Sequence, residues 1–149
     1  MGFDKISLKG RALRLLAGRE HSRAELEKKL ASHEEEPGEL RRALDDLQAK
    51  GFISDQRVVE SVIHRRAARL GAGRVKQELQ AKGISAECMS DALDSLRGTE
   101  VQRAREVWRK KFGEPAVDPA GRAKQMRFLA SRGFGTEAIR RVVSGGDND

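Results

Sequence analysis

The feature that most constrains this chain is an internal repeat of about fifty residues. A shift of 50 pairs Val58 with Trp108, Val62 with Phe112 and Leu79 with Leu129. It also pairs Lys82-Gly83-Ile84 with Arg132-Gly133-Phe134, Met89 with Ile139, and Ala92-Leu93 with Val142-Val143. A shift of 49 pairs Leu26 with Val75, Leu30 with Leu79, Leu40 with Met89, Ala43-Leu44 with Ala92-Leu93, and Leu47 with Leu96. A period of this length marks stacked supersecondary units that share their burial with neighbours. Three units are expected, at residues 1–53, 54–98 and 99–144, followed by a disordered tail at 145–149.

Each unit reads as helix. Leu8, Ala12, Leu15 and Leu16 fall on one face at a 3.6-residue period, as do Leu40, Ala43, Leu44 and Leu47. Met89, Ala92, Leu93 and Leu96 repeat the pattern, and so do Ala104, Val107 and Trp108. Entrances are marked by Ser22-Arg23-Ala24-Glu25, a capping box in which hydroxyl and carboxylate satisfy free helix amides. Thr99 through Gln102 offers the same chemistry, Asp118-Pro119 places a cap before a first-turn proline, and Ser54, Ser85 and Thr136 are further caps. Lys50-Gly51-Phe52, Lys82-Gly83-Ile84 and Arg132-Gly133-Phe134 are stops. In each, a cation faces the negative helix end, glycine turns left-handed, and an apolar residue folds back. Nine helices follow, near 5–17, 23–33, 37–50, 55–70, 73–82, 86–97, 100–112, 119–132 and 136–144. The predicted fold is all-α, with three tandem three-helix modules forming an elongated, curved array.

Composition narrows the class of protein. With charged residues at 36% and apolar ones at 38%, plus 15 glycines, the chain has the balance of a globular protein. No apolar run is long enough to span a bilayer, and the start lacks the apolar stretch of a secretory signal. The single cysteine, Cys88, has no partner for an internal disulfide, as suits a reducing, cytoplasmic setting.

Catalytic constellations are not expected. His21, His33 and His64 have no ligand neighbour at helical spacing, and Cys88 beside Met89 reads as a small buried hydrophobe. Gly71-Ala72-Gly73-Arg74 lacks a phosphate-loop ending and follows a helix rather than a strand. Glu34-Glu35-Glu36 precedes a helix entrance, where carboxylates are favourable without a metal. A non-enzymatic protein with no metal and no cofactor is the expectation.

Charge points to a partner. Lys and Arg number 30 against 23 Asp and Glu, for a net +7. Residues 1–56 hold eleven of each sign, so the surplus lies in the second and third units. Arg65, Arg66, Arg69, Arg74 and Lys76 cluster in the second. Arg109-Lys110-Lys111, Arg122, Lys124, Arg127 and Arg140-Arg141 cluster in the third. Such density suits a phosphate backbone or an acidic protein groove. Few aromatics argue against base stacking. The candidate recognition helices begin with acids (Ala86-Glu87, Pro37-Gly38-Glu39), which disfavours helix-turn-helix operator reading. A general basic nucleic-acid-binding protein is one reading of these features.

Three collinear stretches resemble the RecX family of regulators of the bacterial RecA recombinase. The first is Ser22-Arg23-Ala24-Glu25-Leu26 with Lys29-Leu30. The second runs from Gly51-Phe52-Ile53 through Asp55, Arg57 and Arg65-Arg66 to Arg74-Val75, Glu78-Leu79 and Lys82-Gly83-Ile84. The third is Lys124 with Arg127-Phe128-Leu129, Arg132-Gly133-Phe134 and Ile139. Val58-Val59 and His21 depart from the family pattern, which often has aromatic residues there. The resemblance implies three three-helix modules lying along the groove of a RecA–single-stranded DNA filament and inhibiting ATPase, strand exchange and filament extension. A monomer without membrane attachment is the expectation. Filament or DNA contacts are expected from Arg57, Arg65, Arg66, Arg69, Arg74, Lys76, Lys124, Arg127 and Arg132; of these, Arg57 and Arg132 could instead pair with a neighbouring helix end.

Overall fold

A computed structural model describes residues 6–145. These form helices α1 (Leu8–Gly18), α2 (Arg23–Leu30), α3 (Glu39–Ala49), α4 (Asp55–Arg66), α5 (Ala72–Ala81), α6 (Ala86–Gly98), α7 (Glu100–Lys111), α8 (Pro119–Ser131) and α9 (Thr136–Val143). A 3₁₀ turn, Ala31–His33, extends α2. Among the described residues there is no strand, and no helix is long and apolar enough to cross a membrane. Lys5 and residues 146–149, where the first helix start and most of the tail were expected, lie outside the described residues.

The periodic apolar faces close into three separate cores. Leu8, Ala12, Leu26, Leu30, Leu40, Ala43, Leu44, Leu47 and Ile53 make the first. Val58, Val59, Val62, Val75, Leu79, Ile84, Met89, Leu93 and Leu96 dominate the second, with Cys88 packed at its margin. The third gathers Ala104, Trp108, Leu129, Phe134, Ala138, Ile139, Val142 and Val143. Within it the buried Trp108 indole N–H donates to Gln125 Oε1 at 3.0 Å, and Gln125 Nε2 donates to the Glu114 carbonyl at 3.0 Å. A polar pair thus enters the core fully bonded. The thiol of Cys88 is pushed above its ordinary range by burial and by the nearby Asp55 charge, as suits a packing role.

Local signals explain most boundaries. Ser22 and Glu25 form the reciprocal capping box, and Ser54, Ser85 and Asp118 cap α4, α6 and α8. Gly51, Gly83 and Gly133 take φ values of 84°, 77° and 88°, each followed by an apolar residue whose amide returns to the helix. Four expectations are corrected. Thr99 does not cap α7, because α6 runs almost directly into it. The Thr99 hydroxyl instead donates to the Leu96 carbonyl and accepts from Arg103 Nε at 3.0 Å. Thr136 is the first residue of α9, not its cap; Gly135 holds that position, and its amide donates to Glu100 Oε2 at 2.7 Å. Helix α4 stops at Arg66 rather than near 70. There the Arg103 guanidinium draws the Ala67 and Leu70 carbonyls outward, at 2.9 and 2.6 Å. Finally, α2 tightens into its 3₁₀ turn at Ala31 instead of continuing to 33.

Two joints couple the cores, and they are built alike. At the first, the start of α2 meets the turn after α5: Ser22 Oγ donates to the Lys82 carbonyl, and Asp55 Oδ1 accepts the Arg23 amide at 3.1 Å. A Cβ added at Gly83 would lie 2.4 Å from that of Ala24. At the second, the start of α5 meets the turn after α8. Gly71 and Gly73 donate to the Arg132 and Gly133 carbonyls at 2.8 and 3.1 Å, and Glu100 Oε1 accepts the Ala72 amide at 2.8 Å. Asp55 opens α4 and Glu100 opens α7, so each later unit offers a first-turn carboxylate and a glycine turn to the middle helix before it. The outer ends differ. The α2 turn has no glycine, and α8 carries an extra N-terminal turn led by Asp118-Pro119, with Ala116 packed near Gly121.

Candidate functional site

The rigid second joint creates a cleft. The chain leaving α4 supplies Ala68 and Arg69, one face of α7 supplies Glu106, Val107, Lys110 and Lys111 at helical spacing, and α8 supplies Phe128 and Arg132 one turn apart. The cleft is open to solvent and has a volume of about 260 Å³. Its floor is the half-buried Phe128 ring. Phe112 packs edge-on at 5.4 Å, and Arg132 and Lys111 sit over the ring at 4.8 and 5.5 Å. Those cations hold position by attraction to the ring's negative face. The one lining acid, Glu106, is bonded to Arg109 outside the cleft. Among the described residues, Arg69 and Lys110 make no ion pair, so their charge is available to a ligand. The lining holds no imidazole, thiol or hydroxyl. Four cations against one internally bonded acid make the lining basic.

The nine sequence-predicted residues separate into groups. Arg69 and Arg132 line the cleft. Arg66 and Arg74 share an adjoining recess but are committed internally: Arg66 Nε donates to Glu78 Oε1 at 3.0 Å, and Arg74 Nη1 donates to the Ser131 carbonyl at 2.7 Å across the joint. Arg65 also faces Glu78, at 3.8 Å. Arg57 ties units together, bonding Glu20 at 3.0 Å and the Gly51 carbonyl at 2.7 Å. Lys76 lies on another face, beside Arg97 over the α5–α6 groove. Lys124 and Arg127 are exposed on α8 without an ion-pair partner among the described residues.

Lys110 and Lys111 were counted in the basic run but not as contact residues. Their i+3 and i+4 offset from Val107 was the available signal. Arg103 and Glu100 were missed as joint residues because nothing in their local sequence reveals partners some thirty positions away.

Three linked three-helix domains with a basic cleft at a joint define a helical-repeat protein. Family models for the first, second and third three-helix domains of RecX match residues 9–47, 54–93 and 99–143. The chain belongs to the RecX family. It is 55% identical over 145 residues to the regulatory protein RecX of Leptothrix cholodnii, covering 97% of this chain and 92% of that one. It is 44% identical over 142 residues to that of Ralstonia nicotianae, covering 95% and 89%. The fold matches the crystal structure of RecX from Lactobacillus salivarius with a TM-score of 0.80 at 20% identity, over 94% of each chain. Its role is therefore regulatory.

Proposed function

We propose that this protein inhibits the RecA recombinase by lying along the groove of the RecA–single-stranded DNA filament, limiting ATP hydrolysis, strand exchange and filament extension in the cytoplasm. The units act as modules spanning 1–53, 54–98 and 99–144. Weak contacts from each combine through their effective concentration. The observation that carries the reading is the basic cleft built across the joint of two units, with uncommitted cations facing outward. Arg69, Lys110, Lys111 and Arg132 form the central contact, extended by Lys124 and Arg127 along α8 and by Lys76 on its own face. Arg57, Arg65, Arg66 and Arg74 contribute by holding the units and that face in place.

Adding the protein to RecA, single-stranded DNA and ATP tests this. Substoichiometric amounts are expected to lower hydrolysis, and Arg69→Glu with Lys110→Glu to restore it. Unchanged turnover over a wide titration overturns the reading. Tight binding to bare DNA with no added effect of the recombinase would favour a general nucleic-acid-binding role instead.

A further inference from the structure

The first unit, neutral overall, sorts its charges. Several of its acids are spent on internal bonds. Glu34 accepts a hydrogen bond from the Leu40 amide, Glu39 from the amides of Glu35 and Glu36, and Glu25 from the Arg19 guanidinium, while Asp46 sits between Lys9 and Lys50. What this leaves is a second cleft of about 260 Å³ whose only charged lining is basic: Arg11 and Arg14 from α1, and Lys29 and His33 from α2 and its 3₁₀ turn. Leu15 and Leu30 form its apolar wall. Among the described residues, Arg11 and Arg14 have no ion-pair partner. Lys29 is held in place by His21, a buried imidazole whose pKa is lowered chiefly by burial. Neutral His21 accepts from Lys29 Nζ at Nε2 (3.1 Å) and donates from Nδ1 to the Arg19 carbonyl (3.1 Å).

We propose that this cleft is a second nucleic-acid site, which takes the phosphodiester backbone of a single strand. Two guanidinium forks at i and i+3 and one fixed ammonium, with no lining acid, exceed what one carboxylate can balance. A backbone with a charge at every nucleotide meets all three. No phenylalanine, tyrosine or tryptophan lines the cleft, so recognition rests on phosphate rather than on base stacking. This goes beyond the function proposed above, because it operates without the recombinase.

The test is fluorescence anisotropy of the full chain with a labelled oligothymidylate, titrated over salt. Arg11→Gln with Arg14→Gln is expected to weaken binding about 25-fold near 0.1 M salt and to flatten the log–log salt slope by about 1.4, two single-strand phosphate contacts. Arg14→Gln alone, at an exposed position that breaks no internal bond, is expected to weaken it about fivefold with an unchanged melting curve. Unaltered affinity and slope in both variants overturn the site. So does polyglutamate competing as well as the oligonucleotide at equal charge, which would make the ligand an acidic protein, or inorganic phosphate binding where the oligonucleotide does not. Intact oligonucleotide binding with unchanged recombinase turnover would reject the proposed function and leave this site standing. Inhibition of the recombinase together with failure of both variants would do the reverse.

Discussion

The Gly73 amide donates to the Gly133 carbonyl at 3.1 Å, so the second and third units touch backbone to backbone. A Cβ at Gly133 would come within 2.3 Å of Arg74 Cγ and 2.5 Å of its amide nitrogen, in a left-handed conformation. Gly133→Ala is expected to cost about 3 kcal/mol or more, left-handed strain plus steric overlap. Gly51→Ala, left-handed but with open space around it, should cost about 1–2 kcal/mol. Chemical denaturation of both variants checks this, and equal losses would contradict the close approach.

Arg103 rivets the same joint. Its guanidinium reaches the carbonyls of Ala67, Leu70 and Leu96 and lies 3.7 Å from Glu100. Arg103→Met orphans these partly buried acceptors and should destabilise by about 3–5 kcal/mol. Lysine, with one point of attachment, should recover only part of that loss. Amide exchange should quicken first around 67–72 and at the start of α9.

Acid should loosen the first joint. Burial raises the Glu25 pKa, but the Arg19 hydrogen bond, the Ser22 amide and the Lys82 charge outweigh it and bring the value to about 2 from 4.5. The folded-state pKa is lowered, so this contribution is complete above pH 4.5 and fades as pH falls toward 2. It amounts to about 3 kcal/mol. Glu25→Gln should flatten the stability profile across that window. An unchanged profile would remove Glu25 from the joint.

Core and surface should respond oppositely. Leu79 and Leu129 are fully buried in different cores, so truncation of either to Ala should cost about 2–5 kcal/mol. Arg69→Glu with Lys110→Glu, which breaks no ion pair, should leave the melting curve within about 0.5 kcal/mol while weakening anion binding. Arg66→Glu should do both, since Glu78 would then face a like charge.

Helices and cores were legible because periodicity, caps and glycine stops are local and repeat. The α-helices fell near their expected places, and Leu26, Leu79 and Leu129 are wholly buried. The joints were not legible. Glu100 looks like an ordinary first-turn acid in the sequence, yet it serves the Ala72 and Gly135 amides at the starts of α5 and α9, 28 and 35 positions away. The basic residues show the same limit: Arg66 and Arg74 look as free as Arg69 until tertiary acceptors claim them, whereas Arg57 pairs with Glu20 and a neighbouring helix end, as its sequence position allowed. A net-zero count concealed the cationic cleft of the first unit, because summing charge erases where it lies.

The mismatched outer ends carry a consequence for assembly. A head-to-tail contact that does not close on itself grows into a fibre when its two halves recur on the outside of the molecule. Here neither half does. The 3₁₀ turn that ends α2 has no glycine, the left-handed Gly38 lying beyond it at the start of α3, and a proline-led extension lengthens the start of α8. The interface that stacks one unit on the next therefore occurs at two joints and is not repeated in the same form at either outer end of the described residues.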